Sequence, residues 1–205
     1  MAYSNVRVSG IIGLKLDDGD SLVSCALGCK DEDVLLSTYC GKAIRFSSED
    51  VRPMGRASRG VTGIRFSDKE DYVVGLEILE PGLDDLTILS VCENGYGKRT
   101  KISEYRKQSR GGKGIYTIKV TKRNGGVVAI APVCDLDHVM VMTSKGKLMR
   151  FDVKEVGVIG RLTQGVKLMQ VAEQEKVISI GKVSGEEHRD EETEIKKDTS
   201  EKGEA

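Results

Sequence analysis

Hydrophobic and polar positions recur along this chain with a period near 50 residues, marked by the anchor glycines Gly10, Gly60, Gly114 and Gly165, which are 50, 54 and 51 residues apart. Each anchor opens an apolar or alternating run: IIGLKL from Ile11, VTGIRF from Val61, IYTIKV from Ile115 and VKLMQV from Val166. A polar turn then leads to LVSCAL from Leu22, VVGLEIL from Val73, VVAIAPV from Val127 and VISIGKV from Val177. Third and fourth runs flank a Gly-Lys pair at Gly41, Gly97 and Gly146, read as hairpin turns. Alternation and β-branched residues predict strands, and helical periodicity is absent.

Four short strands in about 50 residues have the size and content of a propeller blade. The fold class is therefore all-β, with propeller-like repeats of four-stranded blades. The repeats run over approximately 5–60, 61–114 and 115–183, making about three blades plus part of a preceding one. That is fewer than the four to eight blades of a closed propeller, so an incomplete disc with open strand edges and a tendency to self-associate is expected. Residues 184–205 are charged and poor in apolar side chains, which predicts a disordered acidic tail.

Charge sharpens this picture. The chain has 32 basic and 32 acidic residues, yet nine acids and four bases fall between Gly185 and Ala205. The body is left at +5 beside a tail of −5, a pattern suited to binding a polyanion with the tail as a shield. No apolar run reaches the roughly 18 residues of a membrane span and no signal peptide opens the chain, so a cytoplasmic location is expected. The five cysteines (Cys25, Cys29, Cys40, Cys92, Cys134) form no C-x-x-C pair and read as small buried hydrophobes.

The densest chemistry is RKQSRGGKG, Arg106 to Gly114, with four cations, three glycines and no carboxylate in nine residues. Glycine lets backbone approach a phosphate closely, and Arg and Lys supply charge for its oxygens. RPMGRASRG from Arg52 and GVIGRLTQG from Gly157 repeat the feature, setting Arg56, Arg110 and Arg161 at matching positions along one expected rim. The candidate contacts are Arg52, Arg56, Arg59, Lys98, Arg99, Arg106, Lys107, Arg110, Lys113, Arg161 and Lys167. No P-loop is present, because Gly114 is followed by Ile115 and Gly97-Lys98 by Arg99. A curved cationic track suits duplex backbone, whereas single strands need aromatic platforms and this chain has no Trp and three Phe.

The runs ENGYGKRTKISEYRKQSRGGKGIYTIKVTKRNG, GKAIRFSSEDVRPMGRASRGVTGIRF and VIGRLTQGVKL closely resemble the C-terminal domain of the DNA gyrase A subunit. That resemblance implies a β-pinwheel whose basic rim wraps duplex DNA, so that ATP-driven strand passage introduces negative supercoils. The family box QRRGGKG matches Gln108, Arg110, Gly111, Gly112, Lys113 and Gly114, and departs at Ser109. The family carries its functional box in the first blade, whereas this copy is followed by one further repeat. The resemblance thus assigns the chain to the last three blades and places catalysis, ATP and magnesium in other parts of the enzyme. Implied partners are duplex DNA, the gyrase B subunit, plus the remainder of gyrase A. Topoisomerase IV's related domain and a protein-interaction propeller without DNA binding are the alternatives.

Overall fold

The computed structural model describes residues 8–82 and 85–184; the expected acidic tail from 185 onward lies outside the described residues. Three hairpins form the frame: β1 (Asp33–Thr38) with β2 (Lys42–Ser47), β4 (Thr87–Cys92) with β5 (Tyr96–Lys101), and β8 (His138–Thr143) with β9 (Leu148–Asp152). A returning strand pairs antiparallel with the first strand of each: β3 (Val73–Leu79) on β1, β7 (Val127–Val133) on β4, β11 (Val177–Val183) on β8. Two short strands complete the outer side, β6 (Ile115–Tyr116) on β2 and β10 (Val166–Lys167) on β5.

The fourth strand of each complete sheet therefore comes from the following unit. The orders are β3-β1-β2-β6, then β10-β5-β4-β7, then β11-β8-β9. Chain-order reading assigns the run after each anchor glycine to its own unit; in space Ile115–Tyr116 and Val166–Lys167 pass over the nearest preceding hairpin and pair with the one before it. Only the first two residues of IYTIKV and VKLMQV are strand, and VTGIRF holds a single bridge at Ile64. IIGLKL and LVSCAL belong to no strand, and Ile12, Leu14, Leu16, Leu22, Val23 and Leu27 are exposed. The pairing rule supplies the reason, since these runs would pair with hairpins preceding β1–β2.

Alternation gives each strand two apolar faces, and the sheets stack through them. Leu35, Ala43 and Leu79 of the first sheet meet Ile88, Val127 and Ile130 of the second. The opposite face of the second sheet, with Leu89, Val91 and Val133, meets Val139, Val141 and Val177 of the third. The other face of the first sheet gathers Val34, Ile44 and Phe46 with Ile64.

Buried carboxylates peg the hairpin ends. Asp71, just before β3, accepts from the Thr38 hydroxyl and the Cys40 N–H, each at 2.8 Å. Glu175, just before β11, accepts from the Thr143 hydroxyl and from the Ala172 N–H at 2.9 Å, and these bonds hold its carboxyl below its ordinary range. Two sequence expectations are corrected. The second hairpin turns at Gly95 (φ +76), while Gly97 lies inside β5. Of the cysteines only Cys92 is buried; Cys25 and Cys29 are exposed because their segment has no sheet to pack on.

Candidate nucleic-acid interface

Each glycine loop is laid between a hairpin and an anchored run. The loop ending at Gly114 bonds to β2 through the Gln108 N–H and the Arg45 carbonyl at 2.8 Å. On its other side the Arg65 N–H reaches the Gly112 carbonyl at 2.9 Å. The loop ending at Gly165 repeats both contacts, Ile159 N–H to Arg99 O at 2.9 Å and Lys119 N–H to Thr163 O at 3.0 Å. The first loop keeps the second contact, Lys15 N–H to Ser58 O at 3.2 Å.

The matching arginines take part in this scheme. Arg56 donates to the Ile12 carbonyl at 3.3 Å, Arg110 to the Thr62 carbonyl, and Arg161 to the Tyr116 carbonyl at 2.9 Å. The acceptor stands two residues after the anchor glycine in each case. Arg110 also reaches the Asp50 carbonyl at 3.1 Å, and Arg161 stands 3.9 Å from Glu104. The three are half-buried. They are equivalent in position, as the sequence implies, but their guanidinium groups tie one unit to the next.

Lys98 and Arg99, expected on the rim, are interior. Lys98 stands where the first sheet has Ile44, and its ammonium donates to the carbonyls of Gly160 and Arg161 at 2.6 and 2.7 Å and to the Thr163 hydroxyl at 3.2 Å. Burial pushes this ammonium down to about 8. Arg99 donates to the Val156 carbonyl at 2.7 Å and pairs with Asp135. Sequence counts both as track cations because strand position alone does not reveal an inward lysine.

The glycines also serve the chain. A Cβ at Gly114 (φ +66) would lie 2.5 Å from the Ala43 carbonyl oxygen, and one at Gly165 (φ +79) 2.6 Å from that of Gly97. These anchors let the crossing strand press against the hairpin; the close approach is to backbone of the same chain. Gln108 is half-buried and Ser109 exposed, so the departure from the family box falls on a solvent-facing position.

Exposed positive charge remains at Arg52, Arg106, Lys113 and Lys167. Arg59 and Lys107 are exposed too, but Arg59 pairs with Asp17 at 3.1 Å and Lys107 with Asp33 at 2.7 Å. Lys167 and Arg123 lie over the Tyr96 ring, 5.9 and 4.8 Å from its centroid. A further series escapes the sequence reading. Lys15, Arg65 and Lys119 each stand five residues after an anchor glycine, are exposed, and bond through their backbone N–H to the neighbouring glycine loop. The signal is the basic fifth residue of IIGLK, VTGIR and IYTIK, which lies outside the glycine loops.

Stacked antiparallel sheets joined by crossing edge strands, with a glycine loop seated on each hairpin, define a β-pinwheel, a propeller-like class of domain. The family described as DNA gyrase C-terminal domain, beta-propeller, matches residues 7–27, 32–80, 88–134 and 137–184, and the chain belongs to it. The DNA gyrase A protein of Chlamydia pneumoniae is 40% identical over 191 residues, 93% of this chain and 22% of that protein. That of Klebsiella oxytoca is 43% identical over 182 residues, 89% of this chain and 20% of that protein. The chain thus spans about a fifth of the length of these relatives. Among solved structures, a DNA gyrase A C-terminal domain superposes with a TM-score of 0.77 at 29% identity, covering 85% of this chain and 58% of the other. A topoisomerase IV C-terminal domain gives 0.84 at 23% identity over 97% and 61%, a likeness of fold. No helix among the described residues is long and apolar enough to cross a membrane.

Proposed function

We propose that this chain binds duplex DNA without sequence preference and wraps it within the gyrase A protein. The observation that carries this reading is the series Lys15, Arg65 and Lys119, one exposed cation per unit at equivalent positions beside successive glycine loops. With Arg52, Arg106, Lys113 and Lys167, also exposed, it supports a reading in which a duplex runs along successive units and bends as it follows them. Contacts of this kind neutralise phosphates and carry no base information. Strand cleavage and ATP hydrolysis fall to other parts of the assembly, and the partners are the rest of gyrase A together with gyrase B; the bacterial nucleoid is the expected setting.

Relatives at 38 to 43% identity carry the gyrase name, which favours it over topoisomerase IV. Titrating a mixed-sequence duplex at several salt concentrations tests the reading. The expected plot of log K against log[salt] falls with a slope of about −0.9 per phosphate neutralised. A flat plot overturns it.

A further inference from the structure

Lys98 is buried on β5, and all three hydrogens of its ammonium are directed at the loop above it: to the carbonyls of Gly160 and Arg161 at 2.6 and 2.7 Å and the Thr163 hydroxyl at 3.2 Å. Further bonds hold the same stretch. The Arg161 N–H donates to Glu104 at 3.3 Å and its guanidinium to the Tyr116 carbonyl. The Thr163 carbonyl accepts from the Lys119 N–H at 3.0 Å, and the Gln164 carbonyl from the Asn124 amide at 3.1 Å. Leu162 stands in the middle of this stretch and is 71% exposed. A large apolar side chain is thus held out into solvent by backbone tied down on both sides.

The other two glycine loops differ at both points. Ala57 and Gly111 follow the matching arginines Arg56 and Arg110, and Ile44, not a lysine, lies under the loop ending at Gly114. Lysine is almost never buried, because burial disfavours its charge, so its place under the one loop with a large apolar tip points to a demand for rigidity there. Both elements that this loop lies between, β5 and the run from Ile115, are among the described residues. The surroundings suit a polyanion. Exposed Lys119 stands beside Leu162, and the cleft they share with Cys40, Tyr116 and Val120, about 550 Å³, has no carboxylate in its wall.

We infer that Leu162 is a wedge that enters the minor groove of the bound duplex and parts one base step, with Lys98 as the positioning residue that keeps the loop from yielding. The inference rests on the proposed duplex binding and adds to it a deformation at one fixed place. A leucine driven between base pairs unstacks them and kinks the duplex, whereas the same side chain on a slack loop would fold back. No base edge is read, so the bias is one of deformability. Pyrimidine–purine steps, which unstack most readily, should settle at Leu162 within otherwise sequence-neutral binding.

Permanganate, which oxidises thymines that have lost their stacking, reads this directly on a G·C-rich duplex with one central TpA step. The unaltered chain should raise the reactivity of that step several-fold, Leu162→Ser should return it to that of free duplex, and Leu162→Phe should restore it. The salt slope should be the same for all three, since no charge changes. Leu162 is exposed, so these replacements leave the fold intact, as circular dichroism would verify. Lys98→Met should keep only part of the enhancement with Leu162 in place. A step that stays unreactive with the unaltered chain bound, or is equally reactive with Leu162→Ser, overturns the wedge; full enhancement with Lys98→Met overturns the role given to Lys98. Ordinary salt-dependent binding without unstacking would sink this inference and leave the proposed function standing, whereas a duplex that does not bind at all would sink both.

Discussion

The Arg161 guanidinium donates to the carbonyl of Tyr116 at 2.9 Å, joining a glycine loop to the edge strand of the preceding unit 45 residues earlier. Arg110 and Arg56 reach the equivalent carbonyls, of Thr62 and Ile12, one and two units before. A hydrogen bond from a charged donor contributes about 1.5–3 kcal/mol, so these arginines act first on stability.

A contrast between two sets of variants follows. Arg161→Ala should lower the melting temperature by several degrees, as a loss of about 1.5–3 kcal/mol gives at this size. Arg65→Ala with Lys119→Ala touches only exposed side chains, so the melting temperature should hold within about a degree. DNA affinity should respond in the opposite order, the double variant losing about 2 from the salt slope. Thermal melts and salt titrations on the same preparations check both halves. A double variant with an unchanged slope would remove the edge cations from the interface.

Asp71 is the second place where one side chain closes a unit. Replacing it by Ala leaves the buried Thr38 hydroxyl and the Cys40 N–H without their acceptor. The expected cost is about 2–4 kcal/mol for two stranded donors. Glu70→Ala, on an exposed neighbour, should stay within about 0.5 kcal/mol. Urea unfolding midpoints distinguish them, and equal midpoints would show that the peg contributes nothing.

Much of the fold is legible in the sequence because alternation reports burial of a strand face, and the anchor glycines report a backbone conformation. The crossing of Ile115–Tyr116 to β2 is not legible, since pairing partners are chosen by packing and chain order says nothing of them. Arg110 and Arg161 reveal their recurrence but not their direction; charge and spacing are the same for a cation facing DNA and one capping a carbonyl. Lys98 misleads for a related reason: only the carbonyls of Gly160 and Arg161 above it explain a lysine where Ile44 stands in the first sheet.

Glu77 on β3 gives a pH dependence. Burial raises its carboxyl from 4.5 to about 7, partly opposed by Lys182. The folded chain keeps this proton to a higher pH than the unfolded chain does, so stability falls as pH rises from 4.5 to 7. Below that window the contribution is complete, and above it it is gone. Glu77→Gln should unfold at the same urea concentration as the unaltered chain near pH 4.5 and at a higher one near pH 7.5. An offset independent of pH would contradict the assignment.

The anchor glycines decide between two roles for the glycine-rich loop. If Gly114 brought backbone close to phosphate, Gly114→Ala would weaken DNA binding and spare stability. The structure points the other way, since the added methyl would meet the Ala43 carbonyl at 2.5 Å in a left-handed conformation that alanine already disfavours. Relieving that clash displaces β6, and with it Lys119 and the loop that caps Tyr116. Gly146 is the control: its φ is +78, but nothing lies within 4 Å of an added Cβ. Gly146→Ala should cost about 1–2 kcal/mol, the conformational penalty alone. Gly114→Ala should cost clearly more, on the order of 3 kcal/mol or above, because strain and overpacking add. Unfolding curves for the two variants measure the difference. Equal losses would mean that the crossing strand shifts without resistance, and the glycine would then be free to serve a ligand.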